Sequence, residues 1–175
     1  MKVKLHAKGI DKRFRMALKV CVDHTLSELG VSKRMKDYLT VILHLRHHAA
    51  EGEAKVSEWT SRYRPREFRV IVDHHRLTLD EYGREKSETE WAHDVLKTVC
   101  HELVHVSDYI SGELSWRDSG LLWRGVNCPA DTQVEYFLLP YEVKAYGMEK
   151  GLLLSFLGFW EEVEKNLGEE LLENL

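Results

Sequence analysis

The sequence predicts an α+β fold in one domain spanning residues 1–175, and three observations predict it. A long amphipathic stripe runs from Ser87 to Gly112. Three short β-branched stretches lie between residues 38 and 75, and a second helical stripe follows Pro140. The chain has 175 residues, 43% of them hydrophobic, which is enough for a core that needs no staples. It contains no repeat, low-complexity tract or linker that would divide it.

Taken in order, Asp11 can cap a helix running to about Leu29. Phe14, Leu18, Cys21, Val22, Thr25 and Leu29 form its inner face, and Gly30 ends it. Tyr38 to Arg46 reads as a strand. The turn-like EGE at 51–53 leads into AKVSEWTSRY, a second strand, and Glu67 to His75 reads as a third. The small sheet is expected to be mostly antiparallel or mixed. Ser87-Glu88-Thr89-Glu90 is a capping box that opens the clearest helix. Its stripe is Ala92, Val95, Leu96, Val99, Leu103, Val106 and Ile110, with Gly112 as the stop. A short strand around LLWRGV and an irregular loop through Pro129 and Asp131 follow. Pro140 then stands where a first-turn proline belongs, before a last long helix.

Charge and cysteine content exclude more than they select. The net charge of −4 gives no global reason to expect nucleic acid or an anionic membrane. Three scattered cysteines, Cys21, Cys100 and Cys128, argue against a disulfide framework and for a reducing compartment. No apolar stretch suits a signal peptide or a membrane span, so a cytoplasmic location is expected.

The chemistry concentrates in CHELVHVSDY, residues 100–109. His101 and His105 lie about 40° apart around the helix axis, so both rings can reach one ion. Zn2+ takes such neutral imidazoles and, in catalytic sites, leaves a position for water. Glu102 points beside the ion, where it can take a proton from an activated water and pass it to a leaving amine. Ten histidines make chance pairs common, but this pair falls mid-helix, on the face opposite the core stripe.

No histidine follows His105, and Asp108 and Ser111 break the metzincin spacing. The third ligand is therefore sought among downstream carboxylates and Cys128. Glu142 is the best of them. Leu171, Leu167, Val163, Trp160, Phe156 and Leu153 form an inward stripe that continues to Glu149, Tyr146 and Glu142. A carboxylate at the start of such a stripe is costly unless something pairs with it. A first-turn glutamate favoured by the helix dipole is the plainer account. Asp108 and Cys128 stand next in line.

HELVHVSDYISGEL, LLWRG and YFLLPYEVKAYGMEKGL together resemble the small gluzincin-type, minigluzincin-like metallopeptidases, particularly phage-encoded ones. More distantly they resemble SprT-like proteases, which use a third histidine that this chain lacks. The resemblance covers Val99 to Leu152. It implies a zincin-like domain with His101, His105 and Glu142 as zinc ligands and Glu102 as general base. The expected activity is hydrolysis of peptide bonds in a protein or peptide substrate, in the host cytoplasm if the protein is viral. Lys144 stands where relatives often show a second Glu; it points about 200° from Glu142, and the inward stripe favours Glu142.

Weaker signals surround this constellation. The strand Glu67–His75 is expected at the cleft as an edge strand, with His74 or His75 facing substrate. Asp108 is either a hydrogen-bond partner of a ligand imidazole or a surface residue near a helix end. Tyr141 or Tyr146 can donate to a developing oxyanion, although the stripe favours a core position for Tyr146. Cys100 reads as packing and His47-His48 as a solvated strand end. Arg62, Arg64, Arg66 and Arg69 could contact phosphates, but a solvated charged face is favoured. Two alternatives to the peptidase remain at this level: an inactive zincin-like interaction module, and a DNA-associated protease dependent on the Arg cluster.

Overall fold

Parallel and antiparallel pairing meet in one four-stranded sheet, ordered β1-β2-β4-β3. In the computed structural model, which describes residues 1–57, 65–117, 120–130 and 132–167, the chain is mixed α+β. The strands are β1 (Lys2–Ala7), β2 (Thr40–Leu45), β3 (Gly52–Val56) and β4 (Glu67–Val72). β1, β2 and β4 run parallel, and β3 pairs antiparallel with β4 at the edge. The sheet is thus mixed and mostly parallel rather than mostly antiparallel.

β1 is the element with no counterpart in the sequence reading. Val3, Leu5 and Ala7 alternate with Lys2, Lys4 and His6, so the strand is only half-buried at the sheet's other edge. The described part of the strand expected over AKVSEWTSRY is β3, and residues 58–64 lie outside the described residues.

Helix α1 (Lys12–Glu28) is capped by Asp11, whose carboxylate accepts from the Phe14 N–H at 2.9 Å. A short α2 (Lys33–Lys36) leads to β2. Helix α3 (Glu88–Ser111) carries both halves of the Ser87/Glu90 capping box and ends at Gly112, whose φ of +82° is the left-handed stop that glycine takes without strain. α1 and α3 pack on the sheet, and α5 (Pro140–Leu167) packs against both. Leu18, Val22, Leu43, Phe68, Val99, Leu103 and Phe156 are fully buried in the core between these layers.

Between α3 and α5 the expected short strand is a three-stranded antiparallel sheet of β5 (Leu114–Arg117), β6 (Gly120–Trp123) and β7 (Val126–Asn127). The loop after it contains a helix, α4 (Gln133–Phe137), closed by a second capping box between Thr132 and Glu135. No helix among the described residues is long and apolar enough to cross a membrane.

Candidate metal centre

Three side chains meet where α3 crosses the start of α5. His101 and His105 are each 7% exposed, and Glu142 is 2% exposed. The carboxylate divides itself between the rings: Oε2 lies 3.2 Å from His101 Nε2, and Oε1 lies 3.4 Å from His105 Nε2. One ligand atom from each residue falls within 4.8 Å of the others, so the group can hold a metal ion. Pro140 opens α5 and places Glu142 in its first turn, where the helix dipole favours a negative charge.

The electrostatics of the group are set by its burial and by its own charges. Burial favours the neutral carboxyl, yet hydrogen bonds from His101 and His105 hold Glu142 down to about 2. Burial likewise favours neutral His101, but the Glu142 and Glu149 carboxylates raise it to about 9. Glu149 accepts from His101 Nδ1 at 2.8 Å, which turns Nε2 toward Glu142 and fixes the ring. Two imidazoles and a buried carboxylate are a donor set that zinc accepts, and the carboxylate behind His101 completes the usual outer support.

Glu102 points from the same helix toward β3. It is 5% exposed, and burial pushes it up to about 7 against the opposing pull of His105 and His101. Gly52 makes room for it. A Cβ on Gly52 would stand 2.3 Å from Glu102 Oε1 and 2.8 Å from Thr98 Cγ2.

A cleft runs across the site in two parts. One cavity, of about 410 Å3, is lined by His101, Glu149, Tyr146 and Lys97, among others. The other, of about 660 Å3, is lined by His105, Tyr109, Leu114, Trp116 and Tyr141, among others. Glu102, Glu142, Gly52 and Tyr136 border both. The rim of the cleft is β3. Ser57 N–H bonds Glu67 O at 2.9 Å and Asp73 N–H bonds Glu51 O at 2.8 Å, so the odd-numbered residues face β4. By antiparallel alternation the backbone groups of Gly52, Ala54 and Val56 point away from β4, along an edge that no other strand among the described residues pairs with.

The other sequence-predicted residues fall out as follows. Asp108 is fully buried, which excludes the surface alternative. Its Oδ1 pairs with Lys144 Nζ, which also reaches Glu113 Oε2 at 2.8 Å, so Lys144 is the counter-ion of a buried carboxylate and stands apart from the ligand group. Asp108 Oδ2 and His105 Nδ1 are both buried without a hydrogen-bond partner among the described residues. Tyr146 is 46% exposed rather than core, because it stands on the side of α5 that lines the cleft; its ring is edge-on to His101 at 4.5 Å. Tyr141 is buried, edge-on to His105 at 5.6 Å.

His74 is not brought to the cleft. β4 is flanked by β2 and β3, so it is no edge strand, and the chain turns away after Val72. The His74 carbonyl accepts from Trp91 Nε1 at 3.0 Å, about 15 Å up the helix from His101 by the 1.5 Å rise per residue. His47 stacks on His75 at 4.6 Å, and His48 pairs with Glu53 at 2.9 Å instead of lying solvated. Cys100 packs with its sulfur 3.8 Å from that of Cys21 in the core. Cys128 Sγ turns to the Val126 carbonyl and is not part of the ligand group. Arg69 is exposed on β4, whereas Arg62 and Arg64 lie outside the described residues.

Glu149 is read in the sequence as part of the inward stripe of the last helix, without a role of its own; the structure sets it behind His101. Two further residues of the site went unread. Tyr136 lay behind the unread Thr132–Glu135 capping box, and Gly52 in EGE carried only a turn signal. No protein-family model, curated protein or solved structure matches the chain.

Proposed function

We propose that this protein is a zinc-dependent metallopeptidase with a zincin-like site. The observation that carries the reading is the Glu142 carboxylate, almost fully buried at the head of α5 and turned with one oxygen on each of the two HExxH imidazoles. Burying that carboxylate costs several kcal/mol unless it is compensated, and a divalent cation compensates it better than one shared proton.

His101, His105 and Glu142 would hold the cation. When bound, zinc acidifies a water and polarises a carbonyl oxygen. Glu102 does the proton work. With its carboxyl raised to about 7 it accepts a proton near neutral pH and gives it up again. The oxygen of water joins the acyl carbon, the C–N bond breaks, and the proton held by Glu102 leaves on the amine. The products are a carboxylate and an amine. Gly52, Ala54 and Val56 offer an extended peptide the outer edge of β3, which supports a peptide as the substrate.

The test is metal content by elemental analysis on the parent and on Glu142→Ala, followed by turnover of an unfolded protein with Glu102→Gln as the blank. Near-stoichiometric zinc in the parent, a clear drop in Glu142→Ala, and cleavage that Glu102→Gln abolishes are expected. Zinc absent from the parent after incubation with zinc overturns the reading. Zinc bound without turnover on any unfolded protein favours the interaction module instead.

A further inference from the structure

The four-stranded sheet has two unlike faces. α1 and α3 cover one of them, where Val41, Leu43, Phe68 and Val70 are buried. The alternate residues stand on the other, and there Lys2, Lys4, His6, Arg46, Lys55 and Arg69 are all exposed. We propose that this second face binds a single-stranded nucleic acid, its cations taking the phosphates and the outer side of the His6 ring taking a base. The metal ligands of α3 lie across the sheet from it, so the inference stands apart from the peptidase reading.

Register sets the cations in a row. Lys4, Ile42, Arg69 and Lys55 are successive partners across β1, β2, β4 and β3. With strands about 4.8 Å apart, the row spans about 14 Å. Arg69 and Lys55 stand directly opposite each other, and like charges so placed repel. Lys2 and Arg46 carry the basic surface toward the two ends of the sheet. Of these five cations only Lys55 has an ion-pair partner among the described residues, Glu53 at 2.8 Å. The strands place two carboxylates on the same face, Glu53 and Glu67, and Glu53 is also held by His48 at 2.9 Å. The face is therefore locally positive in a chain whose net charge is −4. A polyanion neutralises such a row and releases its own counterions on doing so.

The histidines narrow the kind of polyanion. His6 and His44 are register partners, and their rings stack at 4.7 Å and 10° from parallel. Burial and the charges of His6, Arg46 and Arg69 hold His44 below its usual value, so all three stand within electrostatic reach of it. β1 is the edge strand, so a base can continue the stack on the outer side of His6. An acidic peptide would leave that ring unused. A membrane surface calls for exposed apolar anchors, whereas Ile42 and Ile71 on this face are half-buried and buried. Of the arginines clustered around Pro65 in the sequence, Arg69 is the one this face uses.

The experiment titrates the full chain into a short fluorescent single-stranded DNA and into RNA of the same sequence, read by anisotropy. A polyglutamate peptide and phosphatidylserine vesicles are run beside them. Four phosphates held by Lys2, Lys4, Arg46 and Arg69 imply an affinity that falls roughly 50-fold between about 50 and 200 mM salt. The combined variant Lys2→Gln, Lys4→Gln, Arg46→Gln, Arg69→Gln should lose nearly all binding. The control Lys12→Gln, Lys19→Gln, Lys150→Gln, Lys165→Gln removes the same charge from exposed helix positions and should stay within about threefold of the parent. His6→Ala should bind at least about fivefold more weakly with the salt dependence kept. All the substituted side chains but that of half-buried His44, which is left in place, are exposed, and circular dichroism checks that each variant is folded. Binding of either nucleic acid on these terms supports the assignment, and the tighter of the two identifies its source. No binding at about 50 mM salt, parental affinity in the face variant or in His6→Ala, or equal loss in both combined variants overturns it. So does tighter binding of polyglutamate or of the vesicles. Zinc and turnover play no part in the readout, so failure here leaves the peptidase reading as it was.

Discussion

Replacing Gly52 by alanine adds one methyl group at the tightest point of the site. The methyl would lie 2.3 Å from Glu102 Oε1 and 2.8 Å from Thr98 Cγ2, where ordinary contacts begin near 3.4 Å. Thr98 is β-branched and stiff about χ1, so the carboxylate is the part that yields, by about 1 Å. The atoms nearest that methyl belong to Glu102 and Thr98 rather than to His101, His105 or Glu142, so zinc content should stay at the parental value. The backbone at Gly52 has no positive φ, so alanine there also stiffens the unfolded chain, worth about 0.4–1 kcal/mol in favour of folding. That gain offsets part of an overpacking cost of about 1–3 kcal/mol, so the melting temperature should fall by no more than about 10 °C. A general base displaced by about 1 Å loses on the order of 10²-fold in rate. The assay is kcat/KM on a peptide beside zinc content and thermal melting. Parental kcat/KM in Gly52→Ala at full zinc content would refute the placement of Glu102 as the base.

Other outcomes follow from the same geometry. His101, held near 9, carries its proton at neutral pH in the metal-free protein, so zinc uptake should release about one proton, read by titration calorimetry in buffers of different ionisation enthalpy. Apparent zinc affinity should therefore climb as pH rises toward 9 and then level. Without metal, the stabilisation from His101 is complete below its unfolded value of about 6.5 and is lost as pH rises through 9. Glu102, raised to about 7, adds to the decline over pH 4.5–7, while the Glu142 contribution is lost only as pH falls from 4.5 toward 2. The melting temperature of metal-free protein should accordingly fall between pH 5 and 9, and a flat profile would contradict it. Glu149→Gln should weaken zinc binding by about 10–100-fold while the fold is retained, as judged by circular dichroism. Lys144→Met should destabilise by about 2–4 kcal/mol because Asp108 is left buried and unpaired, and Asp108→Asn in the same chain should recover much of the loss in denaturant titrations.

What the sequence discloses here depends on whether a local signal accompanies the tertiary one. α1 and α3 announce themselves through Asp11, the Ser87/Glu90 box and Gly112, each of which acts within a few residues. Glu142 is legible because a carboxylate interrupts an apolar stripe, a contradiction that only a partner resolves. The parallel register of β1, β2 and β4 has no such marker. It is set by α1 and α3 covering one sheet face, and β1 adds only three half-buried apolar side chains amid lysines. α4 hides for the opposite reason: Val134 and Leu138 are exposed, so its apolar residues mark no inward face. The exposed Tyr146 shows that a stripe read along a helix does not say where the neighbouring layer stops.

The ligands also divide the chain unevenly. His101 and His105 are one turn apart, but Glu142 enters only after the β5–β7 sheet and α4 have been strung between. A cation shared by His105 and Glu142 closes that whole segment into a ring, and closing a ring on the order of 40 residues long removes about 4 kcal/mol of freedom from the unfolded chain on the cross-link scale. The ring contains Trp116, Leu121 and Tyr136, which wall the cleft and otherwise hang from the core by few buried side chains. Metal would then act as a clasp on the very wall that shapes the groove, so amide exchange in β5, β6 and α4 should slow on metal uptake more than in the already rigid α3.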